Sequence, residues 1–464
     1  MIQGGESARN SMHTPEMSLK SPTGEGAIAA LEAAGIQTVH VGILDIDSCL
    51  RERRLPLSQA IAALRGPYSF PNVVFKWDTG ETVYDPTETF QDEAARIDPT
   101  TARRYPFEPN AALFIADFIG PSAEIAPRSV LRRQIERADA LGYAVQAGIE
   151  CEFTVLAETA SSLREKGFHR LQPWAPDNRC YAGDTAAAYA DLVTEIEGLA
   201  RQLDIPLYSL GTELGPGCLE ATLLAREPLA AADDFALFRG FTKAFCRNRG
   251  LTASFMAQLG EGFQGLSGHV HLSLRDRDGK AVFADTTRSD GMSATMRHFI
   301  GGLLQALPDF TAMCAHTVNA YRRMVPGNWA PRTPTWGFRN YSVAVRAVTG
   351  EPSTTRIEFR VPAADTNPHL AMAMMLGAGL RGIERRIEPP PSCAGDARAI
   401  VPEGLRPLPG TLDEAAGRLA SCAEARSLFG DAFVEHFAMT RRHEDAVLRR
   451  HVSAAERARY LEAL

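Results

Sequence analysis

The chain has 464 residues, 45% of them apolar and 23% charged, with a formal net charge of −7. This balance suits a soluble globular protein of two domains. The acidic surplus speaks against a nucleic-acid or anionic-membrane partner, which would want a basic face, and no run of about 18 apolar residues appears that would span a membrane.

The start, MIQGGESARNSMHTPEMSLKSPTGEG, is polar and lacks the apolar centre of a signal peptide. Residues 1–25 read as a disordered leader, or in part as an over-long start before Met12 or Met17. Over 26–120 strand-like pieces dominate (TVHVGILDID, NVVFKW, AALFIADF), a small α+β domain. From 121 to 464 the character changes. A helix through IAPRSVLRRQIERADALGY leads into a strand, AVQAGIECEFTVL, at 144–156. Leu192, Ile196, Leu199 and Leu203 place an amphipathic helix over 185–203. A strand pair follows (PLYSLGTEL, CLEATLL), then a helix near 229–249, then strands TASFMAQL and HVHLSL. Helices are expected over 291–306 and 368–386, and again in the last fifty residues. A loop from Pro389, PPPSCAGDARAIVPEG, joins that tail to the core. The eight cysteines form no C-x-x-C pair and read as reduced thiols of a cytoplasmic protein.

Chemistry concentrates on four of these pieces. Glu150 and Glu152 are two apart in an apolar strand, so both point to one side. Glu213 and Glu220 flank a Gly-Pro-Gly turn, and His269 and His271 repeat the two-residue spacing. In TTRIEFRVP, Arg356, Glu358 and Arg360 alternate with Ile357, Phe359 and Val361. Any one of these patterns is commonly a solvated sheet face. Together they give five carboxylates and a histidine, a good shell for hard divalent cations. Without cations, so many buried carboxylates would repel one another. Cations and arginines suggest nucleotide-phosphate chemistry. No G-x-x-x-x-G-K-[ST], H-E-x-x-H or G-x-S-x-G is present.

In this order the blocks ECE, ELGPGCLE, SGHVHLSL, NAYRRMVPG and RIEFRVPAADTNPHLAMAMMLGAGLRGI resemble the signatures of the glutamine synthetase superfamily, from about residue 38 to the C-terminus. The resemblance implies an α+β fold: an N-terminal β-grasp domain, then a catalytic α/β domain around a curved antiparallel sheet. It implies rings, commonly dodecamers of two hexamers, with active sites between subunits. It implies ATP with two or three Mg²⁺ or Mn²⁺. By motif position Glu152, Glu213 and Glu220 would hold one metal, and Glu150, His269 and Glu358 the other. Gln264, Gly265, Arg323 and Arg360 fall at the glutamate site, with Arg323 also among the catalytic groups. His271, Ser273, Arg346 and Arg356 fall at the ATP phosphates or the transferring phosphoryl group. Asp45 matches the acid that helps bind and deprotonate the amine, with Asp47 a near competitor.

The chain departs from the ammonium-using pattern at several of these places. Trp329 stands where the flap carries an acid. Tyr341 follows Asn340 where an arginine is usual, Cys218 replaces a glutamine, Gln264 an asparagine, and FMAQL lacks the lysine of FMPKP. Losing the flap carboxylate removes an attraction for ammonium, and the indole adds apolar, π-rich surface suited to an alkyl-, poly- or arylamine. The resemblance therefore implies an ATP-dependent ligase that joins the γ-carboxylate of glutamate to an organic amine through an acyl phosphate. The alternatives are an ammonium-using glutamine synthetase and a catalytically weak regulatory homologue.

Overall fold

The computed structural model describes residues 18–398 and 400–463. The expected leader lies mostly outside them; of its last residues, Leu19 is buried and Gly24 opens a helix, Gly24–Ala33, capped by Thr23.

Six strands make the first sheet: β1 (Thr38–Leu44), β2 (Leu50–Pro56), β3 (Tyr68–Pro71), β4 (Asp92–Ile97), β5 (Arg103–Arg104) and β6 (Ala111–Phe118). The order is β2-β1-β6-β4-β3, with β5 also on β6. β1 is buried along its whole length, and it pairs parallel with β6 and antiparallel with β2. One expected strand is absent: NVVF, Asn72–Phe75, is a 3₁₀ turn. Pro71 ends the preceding strand, and the Asn72 side chain takes the Gln91 N–H at 3.2 Å, which turns the chain. The charged strand β2, LRERRLP, showed no alternation, because as an edge strand it buries little of either face.

The second sheet has eight strands: β7 (Ala144–Leu156), β8 (Leu207–Thr212), β9 (Cys218–Arg226), β10 (Thr252–Ser254), β11 (Gly268–Arg275), β12 (Trp336–Phe338), β13 (Val345–Val348) and β14 (Arg356–Phe359). Its order is β12-β13-β14-β11-β7-β9-β8, antiparallel except for β12 on β13, with β10 also on β7. TASFMAQL thus gives only the short strand β10. The helix expected over 185–203 is two, Gly183–Ala188 and Ala190–Gln202, broken at Tyr189.

Helix Pro228–Asn248 packs against β7 and β9; its N-terminal N–H of Ala230 is taken by Glu227. Helix Pro368–Arg385 is buried almost all round and is capped by Asn367, whose Oδ1 accepts from His369 N and Leu370 N. It crosses helix Ala294–Phe310 at glycines: a Cβ on Gly302 would stand 2.5 Å from Gly382 Cα. That close approach is open only to glycine.

A buried polar network ties the first sheet to the helices that pack on the second. Arg128 binds Asp98, Asp117 and Asp233, and His369 Nε2 meets Asp233 at 2.9 Å. Arg103 pairs with Asp234 at 2.9 Å. The β1–β2 turn is fastened by Arg239 to the Asp47 and Ser48 carbonyls, by Asn367 to Ile46 O, and by Arg441 to Asp47. Breaking one member would strand a buried charge, which costs several kcal/mol.

Candidate active site

β7 sets the site because its two faces have opposite tasks. Ile149, Cys151 and Phe153 are at most 1% exposed. Phe153 stacks on Phe255 with centroids 5.1 Å apart and meets Phe238 of helix Pro228–Asn248 edge-on. Their burial turns Glu150 and Glu152 to the other face. The sheet register then assembles the rest. Glu152 faces Glu220 of β9, Glu150 faces His269 of β11, and Glu358 of β14 lies between His271 and Arg346. Glu213 sits in the β8–β9 turn, which Gly215 and Gly217 close at φ 107° and 67°.

The five carboxylates and His269 line a cavity of about 440 Å³, with Gln264, Gly265, Arg323, Arg346 and Arg360 on the same walls. Trp329, Tyr341, Tyr181 and Leu214 complete it. Gly265 is needed where it is, since a Cβ there would stand 2.8 Å from Arg323 Cγ.

The donor set fits divalent cations. His269 Nδ1 lies 3.6 Å from Glu150 Oε2 and 3.6 Å from Glu358 Oε1, and one ligand atom from each of the three lies within 4.8 Å of the others. Those gaps exceed a hydrogen bond. They leave room for a divalent cation, which these oxygen and nitrogen donors would hold between them. Burial, with Arg360 nearby, lowers the His269 imidazole to about 4, so at neutral pH it is uncharged and can donate a lone pair. Burial pushes Glu150 up, yet His269 and His271 reverse this and hold it well below the carboxylate range. Glu358, fully buried, is likewise held down by His269 and Arg360 against its burial, and accepts from both Arg346 and Arg360.

The second set is short of positive charge. Burial and then the carboxylates of Glu150, Glu152 and Glu213 raise Glu220 to about 8. Burial raises Glu152 too, although the Ser267 N–H binds it. A cation between Glu152, Glu213 and Glu220 would remove that repulsion.

Beside Glu358, Arg346 and Arg360 hold Tyr341 between them, with guanidinium carbons 4.4 and 5.4 Å from its ring centroid. Arg323 donates to Val361 O, and burial lowers it only to about 10, so it stays charged.

Not every expected residue reaches this cavity. His271 Nε2 lies 2.9 Å from Glu150 Oε1, and its Nδ1 accepts from Arg356 Nε at 3.1 Å. Ser273 pairs with Gln146 farther along β11. His271, Ser273 and Arg356 line none of the 440 Å³ space. Asp45 is buried in the β1–β2 turn, bound to Arg51 Nε and to the N–H groups of Asp47 and Cys49, and is also outside the cavity of its own chain. Burial and Asp47 raise its carboxyl to about 6. Sequence reasoning missed Cys180 and Tyr181. The Cys180 thiol donates to Glu213 Oε1 at 3.0 Å, and both residues line the cavity from an irregular loop with no periodic signal.

Facing carboxylates and a neutral imidazole on a mostly antiparallel sheet, with Arg323 from a helix and Arg346 and Arg360 beside them, can hold divalent cations and anionic groups. The chain belongs to the glutamine synthetase family: residues 124–460 match the family's catalytic domain. It is 32% identical over 445 residues to a glutamate–isopropylamine ligase of a Pseudomonas species, covering 94% of this chain and 97% of that one. It is 34% identical over 441 residues to type-1 glutamine synthetase 2 of Dictyostelium discoideum, covering 92% and 84%. The solved structure of ligand-free GmaS superposes with a TM-score of 0.81 at 26% identity, covering 94% of this chain and 99% of that one.

Proposed function

We propose that this protein is an ATP-dependent carbon–nitrogen ligase that joins the γ-carboxylate of glutamate to an organic amine. The observation that carries the choice of amine over ammonium is the aromatic wall of the cavity. Trp329 and Tyr341 are 55% and 58% exposed, and both face the carboxylate and arginine cluster. An indole and a phenol offer apolar and cation–π contact to a substituted amine and nothing specific to ammonium.

In this reading Glu150, His269 and Glu358 hold one Mg²⁺ or Mn²⁺, and Glu152, Glu213 and Glu220 hold another. The cations supply charge neutralisation for ATP's phosphates. Arg323 and Arg360, with Gln264 and Gly265, bind and orient glutamate. Arg346 faces the transferring phosphoryl group and offsets the repulsion between an attacking carboxylate and a polyphosphate. The γ-carboxylate oxygen attacks the terminal phosphorus, ADP leaves, and an acyl phosphate forms. The amine then attacks the acyl carbon and gives up a proton to the Asp45 carboxylate, phosphate leaves, and a γ-glutamylamide results. Trp329 covers the acyl phosphate from water.

The site of Asp45 supports a role between subunits of a ring, proposed as a dodecamer of two hexamers. Its carboxyl, raised to about 6, suits a base near neutral pH, yet its own chain's cavity lies elsewhere. All eight cysteines are free thiols, which supports a reducing, cytoplasmic setting; among the described residues no helix is long and apolar enough to cross a membrane.

Glutamate labelled with ¹⁸O in its γ-carboxylate tests the chemistry. One labelled oxygen should appear in released phosphate when an amine is present. Unlabelled phosphate throughout would contradict an acyl phosphate.

A further inference from the structure

Trp329 and Tyr341 also wall a second cavity, of about 380 Å³, which Phe338, Asn340, Ala394 and Arg398 help to line. The two spaces adjoin through these shared side chains. Three aromatic residues, Trp329, Phe338 and Tyr341, are each more than a third exposed around it. Single exposed aromatics are ordinary, but three around one cavity beside a reaction centre mark a ligand surface.

Three charged residues line this cavity: Arg339, whose Nη2 donates to Thr349 O at 3.3 Å, and Arg398 and Asp396, which pair with each other. Arg398 binds Asp396 through Nη2 at 2.6 Å and Nε at 2.9 Å, and its guanidinium carbon stands 5.0 Å from the Trp329 ring centroid. Asn340 Nδ2 donates to the Cys393 and Gly395 carbonyls, each at 2.9 Å, and its Oδ1 accepts from Ser342. What remains for a ligand is aromatic surface beside the Arg339 guanidinium. A distal ammonium would have to displace Arg398 from both Asp396 and the indole. It would also meet the positive charge of Arg339 on the same walls.

We infer that this cavity receives the substituent of the acceptor amine, and that the substituent is uncharged and apolar, alkyl or aryl, rather than a polyamine chain. The inference rests on the reading of the acceptor as an organic amine. With the amine nitrogen in the catalytic cleft, the tail passes Trp329 and Tyr341 and packs against Phe338. Arg398, 5.0 Å from the indole centroid, helps hold the indole in place and so takes part in acceptor choice.

The test is kcat/KM for methylamine, butylamine, benzylamine and putrescine at saturating Mg-ATP and glutamate. Butylamine and benzylamine should exceed methylamine by about tenfold or more, the scale of filling an apolar pocket. Putrescine, which matches butylamine in length but carries a second charge, should fall below it. Ala394→Trp, which fills the cavity, should lower benzylamine relative to methylamine about tenfold, and Phe338→Ala should lower it in the same sense without adding bulk. Putrescine preferred over butylamine, or both variants lowering methylamine and benzylamine equally, would overturn the assignment of the cavity while leaving an amine ligase. Ammonium as the best acceptor would instead overturn the amine reading itself.

Discussion

Glu220 gives the sharpest stability prediction. Its carboxyl titrates near 8 in the folded chain, raised by burial and by Glu150, Glu152 and Glu213, against an ordinary value near 4.5. A group raised on folding contributes stability in full below the unfolded pKa and loses it as pH rises through the folded one. The metal-free protein should therefore lose stability from about pH 5 to pH 8. Between those limits stability falls by about 1.4 kcal/mol for every pH unit, so the loss reaches on the order of 3 kcal/mol by pH 7. Glu220→Gln removes that charge. In EDTA the variant should be more stable than wild type at pH 8, should differ little from it at pH 5, and should lack most of the decline between. Mg²⁺ should restore the wild type at pH 8 and do little for the variant. Denaturant melts of both proteins across pH 5–8.5, with EDTA or Mg²⁺, measure this. A variant that tracks wild type at every pH in EDTA would refute the view that this carboxylate cluster is short of a cation.

Six other substitutions, at five positions, test separate parts of the site. Cys151→Ala should cost about 1 kcal/mol through a small cavity and leave Mn²⁺ affinity intact, whereas Glu152→Ala should abolish activity, both read by metal titration and phosphate release. Gly265→Ala should push Arg323 aside and raise the KM for glutamate about tenfold with the KM for ATP little changed; equal effects on both would contradict the placement of Arg323. Tyr341→Phe keeps a ring between Arg346 and Arg360 and should retain activity, while Tyr341→Ala frees both guanidinia and should lower kcat; equal loss in the two would assign the effect to the hydroxyl instead. Trp329→Glu should shift preference towards ammonium, seen in the ratio of kcat/KM for ammonium and isopropylamine.

The catalytic sheet was legible because its strands carry charge against an apolar background. In β7 the alternation of Glu150 and Glu152 with Ile149, Cys151 and Phe153 identified both the strand and its two faces. The register that sets Glu152 opposite Glu220 and His269 opposite Glu150 depends on pairing between distant segments, which one strand's pattern does not encode. In the first sheet, β2 escaped notice because an edge strand of arginines buries no clean face, and Asn72–Phe75 misled because an apolar run after a proline can turn instead of extend. Cys180 and Tyr181 lacked any signal, since an irregular loop carries them to Glu213. The pairing of Trp329 with Arg398 joins segments far apart in the chain, and that of Tyr341 with Arg346 and Arg360 depends on how the irregular turn before β13 folds back, so the change at Tyr341 looked like a loss when the structure gives it two partners.

The most direct measurement is a competition in one vessel. Protein, Mg-ATP and glutamate are supplied with ammonium and isopropylamine at equal concentration, and the products are counted by mass. The account predicts that γ-glutamylisopropylamide exceeds glutamine, with one phosphate released per amide. Glutamine as the dominant product would contradict it.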